Sequence, residues 1–184
     1  MMRIITGKAR GYRLQTLPGE ETTRPTTERV KESVFSALQF EIEGRTVLDL
    51  FAGSGQMGLE ALSRGAASAV FVDSSKDACE VVKQNARGAK LDGNMRIANT
   101  DALAFCQRTS ERFDMAFLDP PYRAGLLPSL LPQVAALIKE GGVVVCETDA
   151  DTVLPERVEA LVLEKDKRYG KTQIRIYRKK EAIE

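Results

Sequence analysis

The residues with the most specific chemistry are Asp119-Pro120-Pro121-Tyr122, which follow the apolar run Phe113-Asp114-Met115-Ala116-Phe117-Leu118. An exocyclic amine on a nucleobase is a poor nucleophile, because its lone pair is delocalised into the ring. The Asp119 carboxylate and the Pro120 carbonyl can each accept a hydrogen bond from such an amine, turning its lone pair toward an electrophile and favouring a more tetrahedral nitrogen. Two prolines stiffen that carbonyl and bring no N–H to compete. Tyr122 offers a ring on which an extruded base can stack, worth about 1–3 kcal/mol. The bland alternative is a proline-rich turn that ends a strand.

A second constellation lies upstream. Val47-Leu48-Asp49-Leu50-Phe51-Ala52-Gly53-Ser54-Gly55-Gln56-Met57-Gly58 reads as a strand, a turn with three spaced glycines, and the start of a helix. Such a turn lets a ligand approach the backbone, and the helix start offers free N–H groups. Asp73 follows Gly53 by 20 positions, where a carboxylate can accept both hydroxyls of a ribose. An adenosine-type cofactor is the expectation, against a plain tight turn with a helix cap. Asp49 would oppose a pyrophosphate but could hold the ammonium of a methionine moiety, which favours a cationic sulfonium donor over a nicotinamide dinucleotide. Asp101, within Asn99-Thr100-Asp101-Ala102-Leu103, is placed either to meet an adenine amino group or to cap a helix. Methyl transfer in such a site depends mainly on positioning, with the sulfonium supplying the reactivity.

The composition is compatible with this chemistry and removes others. The 184 residues contain no histidine, which excludes Ser-His and Cys-His nucleophilic schemes and the commonest metal ligand. Cys79, Cys106 and Cys146 form no close pair, so neither a disulfide framework nor a Cys-x-x-Cys site is expected, and no metal is predicted. At 43% hydrophobic and 29% charged residues, the chain has the balance of a water-soluble globular protein, with no membrane-length apolar run and no secretory signal, so a cytoplasmic location is expected. The formal charge of +1 hides two basic ends. Residues 1–18 hold Arg3, Lys8, Arg10 and Arg13 without an acid, and residues 165–180 are rich in Lys and Arg.

The elements that position the motifs follow from patterning. Arg3–Thr6 and Tyr12–Leu17 predict a hairpin with a basic tip, an appendage followed by a helix in which Val30, Val34 and Leu38 recur. From Thr46 short apolar runs, Thr46–Ala52, Ala69–Asp73, Met95–Ala98, Phe113–Asp119 and Gly142–Glu147, alternate with helical stretches at Gln56–Ser63, Lys76–Lys90, Asp101–Arg108 and Leu126–Lys139. That alternation predicts a parallel sheet covered on both faces. Ala160–Glu164 and Thr172–Arg178, with no helical pattern between, predict an antiparallel pair. A single domain is expected: residues 1–22 a basic β-hairpin extension, 23–44 a linking helix, and 45–184 the catalytic core.

With these blocks in place, the chain resembles the class I methyltransferases and, more closely, the RsmD-type guanine-N2 methyltransferases of bacterial small-subunit ribosomal RNA. The likeness runs through Arg3-Ile4-Ile5-Thr6-Gly7-Lys8, the segment Arg24-Pro25-Thr26-Thr27-Glu28-Arg29 to Phe35, Asp49 to Gly55, Asp119 to Tyr122 and Tyr169-Gly170-Lys171-Thr172. It implies a Rossmann-like α/β fold with a mostly parallel seven-stranded sheet and an antiparallel C-terminal strand. It also implies that Asp49, Phe51, Gly53, Gly55, Asp73, Ser74, Asp101 and Ala102 bind S-adenosyl-L-methionine, and that Arg24, Thr26 and Thr27 close over its methionine end. Asp119, Pro120, Pro121 and Tyr122 would hold guanine. Lys8, Arg10, Arg13 and Arg29 fit phosphate contacts that position RNA without reading sequence. The expected partner is 16S ribosomal RNA, within a small-subunit particle or assembly intermediate, and a monomer suffices. Gln56-Met57 and Lys171 depart from the family pattern. A DNA adenine or cytosine methyltransferase shares the motifs but needs a larger recognition region; a nicotinamide-dependent oxidoreductase is opposed by Asp49 and the missing histidine; a non-catalytic RNA-binding protein is opposed by the intact motifs.

Overall fold

The structure, a computed structural model, describes residues 1–19, 25–121 and 125–181, Pro25 and Thr26 as backbone alone. In chain order it comprises α1 (Pro25–Ala37), β1 (Thr46–Asp49), α2 (Gln56–Ser63), β2 (Ser68–Asp73), α3 (Lys76–Gly88), β3 (Met95–Asn99), α4 (Ala102–Arg108), β4 (Phe113–Leu118), α5 (Leu127–Leu137), β5 (Ile138–Asp149), β6 (Arg157–Val158), β7 (Leu161–Tyr169) and β8 (Thr172–Lys179). The strands form one sheet in the order β3-β2-β1-β4-β5-β8-β7-β6. The first five pair in parallel and the last three antiparallel. Strand order reverses between β1 and β4, the place where open α/β sheets part their loops and leave a crevice.

The sheet has eight strands where seven are expected, the extra one being the two-residue β6 at the edge. Other boundaries also move. Ile138 and Lys139 belong to β5 rather than to the preceding helix, because Ile138 turns to an extended φ of −89° and ψ of 134°. β7 runs on through Lys165–Tyr169, which carries no apolar face of its own and is held by its ladder with β8.

Alternation along the strands sorts the core. Val47, Phe71, Phe117 and Val145 pack on one face with Val30, Val34 and Phe35 of α1, Leu59 of α2 and Val82 of α3. Leu48, Val70, Ala116 and Val144 pack on the other with Phe105 of α4 and Leu130, Leu131 and Val134 of α5. Burial on both faces explains why these strands read as continuous apolar runs.

The N-terminal hairpin is not an appendage. Ile4 and Leu14 are buried in the first of those cores. Ile4 N–H donates to Tyr12 O at 2.9 Å and Leu14 N–H to Met2 O at 2.9 Å, closing the hairpin. A fully buried Glu60 on α2 then accepts from the N–H groups of Ile5 and Thr6 at 2.9 and 3.0 Å. The same carboxylate pairs with Arg64 at 2.9 Å and with the buried Lys31 of α1 at 3.4 Å, so its charge is compensated inside the protein. Buried Asn85 of α3 ties the second arm by bonds to Gln15 N and O, and reaches Ser54 O in the glycine turn at 2.9 Å.

Candidate active site

The glycine turn joins β1 to α2. Gly53 and Gly55 have φ of 55° and 83°, left-handed values that glycine adopts without strain. A side chain built on Gly53 would meet nothing within 4 Å, so that space is left open to a cavity. Gly58 serves differently: a Cβ there would lie 2.3 Å from the Phe71 ring, and its absence lets α2 lie against β2. Asp49, at the end of β1, points under this helix start and accepts from Gly58 N–H at 2.9 Å. Burial pushes its carboxyl up to about 7, the Gly58 bond opposes that rise, and the Asp73 charge adds to it.

Asp73, at the end of β2, spends one oxygen on Gly53 N–H at 3.0 Å and the other on Ser75 N–H at 2.9 Å. Each oxygen keeps a lone pair for a further donor. Asp101 is the N-cap of α4, accepting from Ala104 N–H at 3.0 Å, as its capping alternative required. Asp119 follows β4 and is exposed, as is Pro121, and Pro120 is half-buried. Tyr122 and Arg24 lie outside the described residues, and Thr26 is described only as backbone of α1.

A cavity of about 1000 Å³ opens at the carboxyl ends of the parallel strands. Of the residues expected at the site, Thr27, Phe51, Gly53, Asp73, Ser74, Asp101, Ala102, Asp119, Pro120 and Pro121 line it. Asp49 and Gly55 lie behind the lining and shape the turn. Lys8, Arg10, Arg13 and Arg29 are exposed outside it. Three further groups complete the wall. Met2 and Leu17 come from the hairpin arms, Glu147 from the end of β5, and Gly170, Lys171 and Thr172 from the β7–β8 turn. Glu147 was legible in principle, since it ends the apolar run Val143-Val144-Val145-Cys146 on a strand next to β4, but no motif draws the eye to it. Burial pushes its carboxyl up to about 7.

The basic C-terminal segment is partly spent inside the protein. Arg178 pairs with Glu41 at 2.7 Å and Glu164 at 3.0 Å. Lys179 donates to the Ala135 and Ile138 carbonyls at 2.9 and 2.7 Å, capping the end of α5. Lys165, Lys167, Arg168 and Lys171 remain exposed. All three cysteines are buried and unpaired. Among the described residues, no cluster of His, Cys, Asp and Glu could hold a metal ion, and no helix is long and apolar enough to cross a membrane.

Arranged in this way, the cavity offers open backbone at a glycine turn, carboxylates at three strand or helix ends, and the Asp-Pro-Pro turn facing them. The model of a family described as Conserved hypothetical protein 95 matches residues 2–178. The chain is 39% identical over 184 residues to the Bacillus subtilis (strain 168) protein YlbH, provisionally named an rRNA methyltransferase, covering 97% of this chain and 100% of that protein. It is 35% identical over 181 residues to ribosomal RNA small subunit methyltransferase D of Escherichia coli (strain K12), covering 97% and 90% respectively. The solved Escherichia coli protein yhhF, provisionally named a methyltransferase, superposes with a TM-score of 0.86 at 32% identity over 98% of this chain and 99% of that one. The fold is shared with a T. thermophilus 16S rRNA N2 methyltransferase solved with AdoMet and guanosine, at a TM-score of 0.72 and 20% identity over 89% of this chain and 45% of that one.

Proposed function

Since the chain belongs to the Conserved hypothetical protein 95 family, that of the RsmD proteins, we propose that it transfers a methyl group from S-adenosyl-L-methionine to the exocyclic N2 amine of a guanine in small-subunit ribosomal RNA. The observation that carries this reading is the meeting of Asp119, Pro120 and Pro121 with Gly53, Asp73 and Asp101 around one cavity.

The residues present fit the donor. Gly53 leaves room for its backbone approach, and Asp73 keeps acceptor capacity for ribose hydroxyls beside Ser74. Phe51 and Ala102 flank the adenine position, with Asp101 still able to accept from an amino group. Thr27, from the first turns of α1, stands at the methionine end, which Arg24 and Thr26 would complete. Asp49 acts from behind: its negative charge under the turn favours an ammonium on the other side, and Gly55 gives the turn its shape. The donor supplies an electrophilic methyl on sulfur. The protein's part is to hold the amine, through Asp119 and the Pro120 carbonyl, with its lone pair aimed at that methyl, while Tyr122 stacks the base.

Exposed Lys8, Arg10, Arg13 and Arg29 would bind RNA phosphates without sequence preference. A chain of this size reads the shape of its target, consistent with a small-subunit particle or assembly intermediate as substrate and a monomeric enzyme in the cytoplasm. The decisive variant is Asp119→Ala. With labelled donor and small-subunit rRNA or particles, methyl transfer is expected to fall below detection while donor affinity, read by calorimetry, stays within about threefold. Unchanged transfer would overturn the mechanism.

A further inference from the structure

Glu147 is a carboxyl that the chemistry above does not use. β4 and β5 are parallel, with Phe117 opposite Val145 and Leu118 opposite Cys146. Continued by one place, that register sets Asp119 beside Glu147, on the face that carries Phe117 and Val145. Both residues line the cavity, together with Thr27 and Val30 of α1. Neighbouring strands lie about 4.8 Å apart, close enough for two side chains of this length to converge on one edge of a planar base. Among the described residues no hydrogen bond or ion pair occupies the Glu147 side chain, although it is half-buried. A half-buried carboxyl that no protein donor engages is disfavoured as an anion, and a ligand entering the cavity can supply the missing donor.

The edge of guanine offers that donor. Its N2 amine and its N1–H sit side by side, whereas adenine presents an acceptor at N1. We propose that Glu147 selects guanine by accepting the N1–H of the target base while Asp119 and the Pro120 carbonyl hold the adjacent N2 amine. The inference rests on the N2-amine reading of the site and adds to it the group that tells one purine from another. A ring with an acceptor at N1 would face the carboxylate lone pairs and, by covering them, leave the charge unpaired, which is how polar sites reject near-isosteres.

The surroundings keep this group sensitive to pH. Among the described residues, Asp119, Asp101 and Asp73 are the other acids that share the cavity, Lys171 is its one basic lining residue, and Ile174, opposite on β8, is apolar. Arg175 turns to the other face, where it donates to Thr148 at 3.2 Å and to the Thr152 carbonyl at 2.9 Å. Burial holds the Glu147 carboxyl near 7, so its accepting form gains population from pH 6 to pH 8.

The test uses the full-length protein and small-subunit rRNA ligated to carry either guanine or 2-aminopurine at the position that the wild-type enzyme methylates. 2-Aminopurine keeps the exocyclic amine but lacks the N1–H and O6. Wild type is expected to prefer guanine by about a hundredfold in kcat/KM at pH 8, with the preference shrinking as pH falls through 7. In Glu147→Gln the preference should collapse to a few-fold and lose its pH dependence, with donor affinity retained; Glu147→Asp should recover part of both. A preference unchanged in Glu147→Gln would overturn the inference, as would loss of donor binding and rate on both substrates together, the mark of a structural residue. No transfer to guanine N2 by wild type would instead defeat the underlying reading, and this one with it.

Discussion

At the scale of single residues, Asp49 is the clearest case of a group whose burial works against stability. Its carboxyl is buried beneath the start of α2, and burial lifts its ionisation from an ordinary 3.8 to about 7. A group raised in this way stabilises the fold fully below its unfolded value, and that contribution is lost as pH rises from about 3.8 through about 7. At pH 8 the ionised carboxylate therefore works against the fold by roughly 4 kcal/mol, from the 1.36 kcal/mol that each unit represents. Asn at this position keeps an acceptor for Gly58 N–H but buries an amide donor, which takes back about 1–3 kcal/mol. Asp49→Asn is thus expected to unfold at roughly 5 °C above wild type at pH 8, to lose that advantage near pH 4, and to bind S-adenosyl-L-methionine at least tenfold more weakly. A lower melting temperature than wild type at pH 8 would contradict this account. The sequence made Asp49 visible through its place before a glycine turn. It did not reveal that the residue answers to Gly58 rather than lining the cavity, because that depends on how far α2 rotates over β1.

At the scale of elements, the α/β core was readable because β1, β2, β4 and the second half of β5 are apolar on both faces and the helices against them present apolar residues to the sheet. The readings that failed share a cause. Ile138 and Lys139 continue the apolar rhythm of α5, so nothing local signals the change to β5; the switch is imposed by pairing with β4. Lys165–Tyr169 shows no alternation, and its extended state comes from the ladder with β8. Glu60, Lys31 and Asn85 look like surface residues in the sequence, since, apart from the Glu60–Arg64 pair, their partners lie 28 or more positions away. Gly58 tests how tightly elements are matched. Gly58→Ala puts a methyl into the Phe71 ring, so α2 must lift from β2 and carry its N–H away from Asp49. The cost should be about 2 kcal/mol, seen as a fall of roughly 6 °C in Tm together with weakened donor binding. A melting temperature within a degree of wild type would show that the contact is slack.

At the scale of the molecule, charge and packing divide the hairpin between two roles. Its backbone and its apolar residues Ile4 and Leu14 belong to the core, whereas Lys8, Arg10 and Arg13 project from it. Replacing the three cations by Gln should leave the melting temperature within about 2 °C, raise KM for RNA about tenfold or more, and flatten the salt dependence of RNA binding by up to about two units of slope. An unchanged slope would remove the hairpin from the RNA interface. The antiparallel end of the sheet carries a different consequence. β8 lies between β5 and β7, so β6 and β7 have no edge to join until β8, which follows them in sequence, is in place. β7 and β8 are neighbours across the Gly170-Lys171 turn and can pair locally, on the microsecond scale of hairpins, before docking on β5 as one piece. That turn also supplies Gly170, Lys171 and Thr172 to the cavity wall. The cavity wall is therefore completed only once β8, the last of the described strands, has left the ribosome, and a nascent chain lacking it has the motifs but an unfinished vessel to hold them.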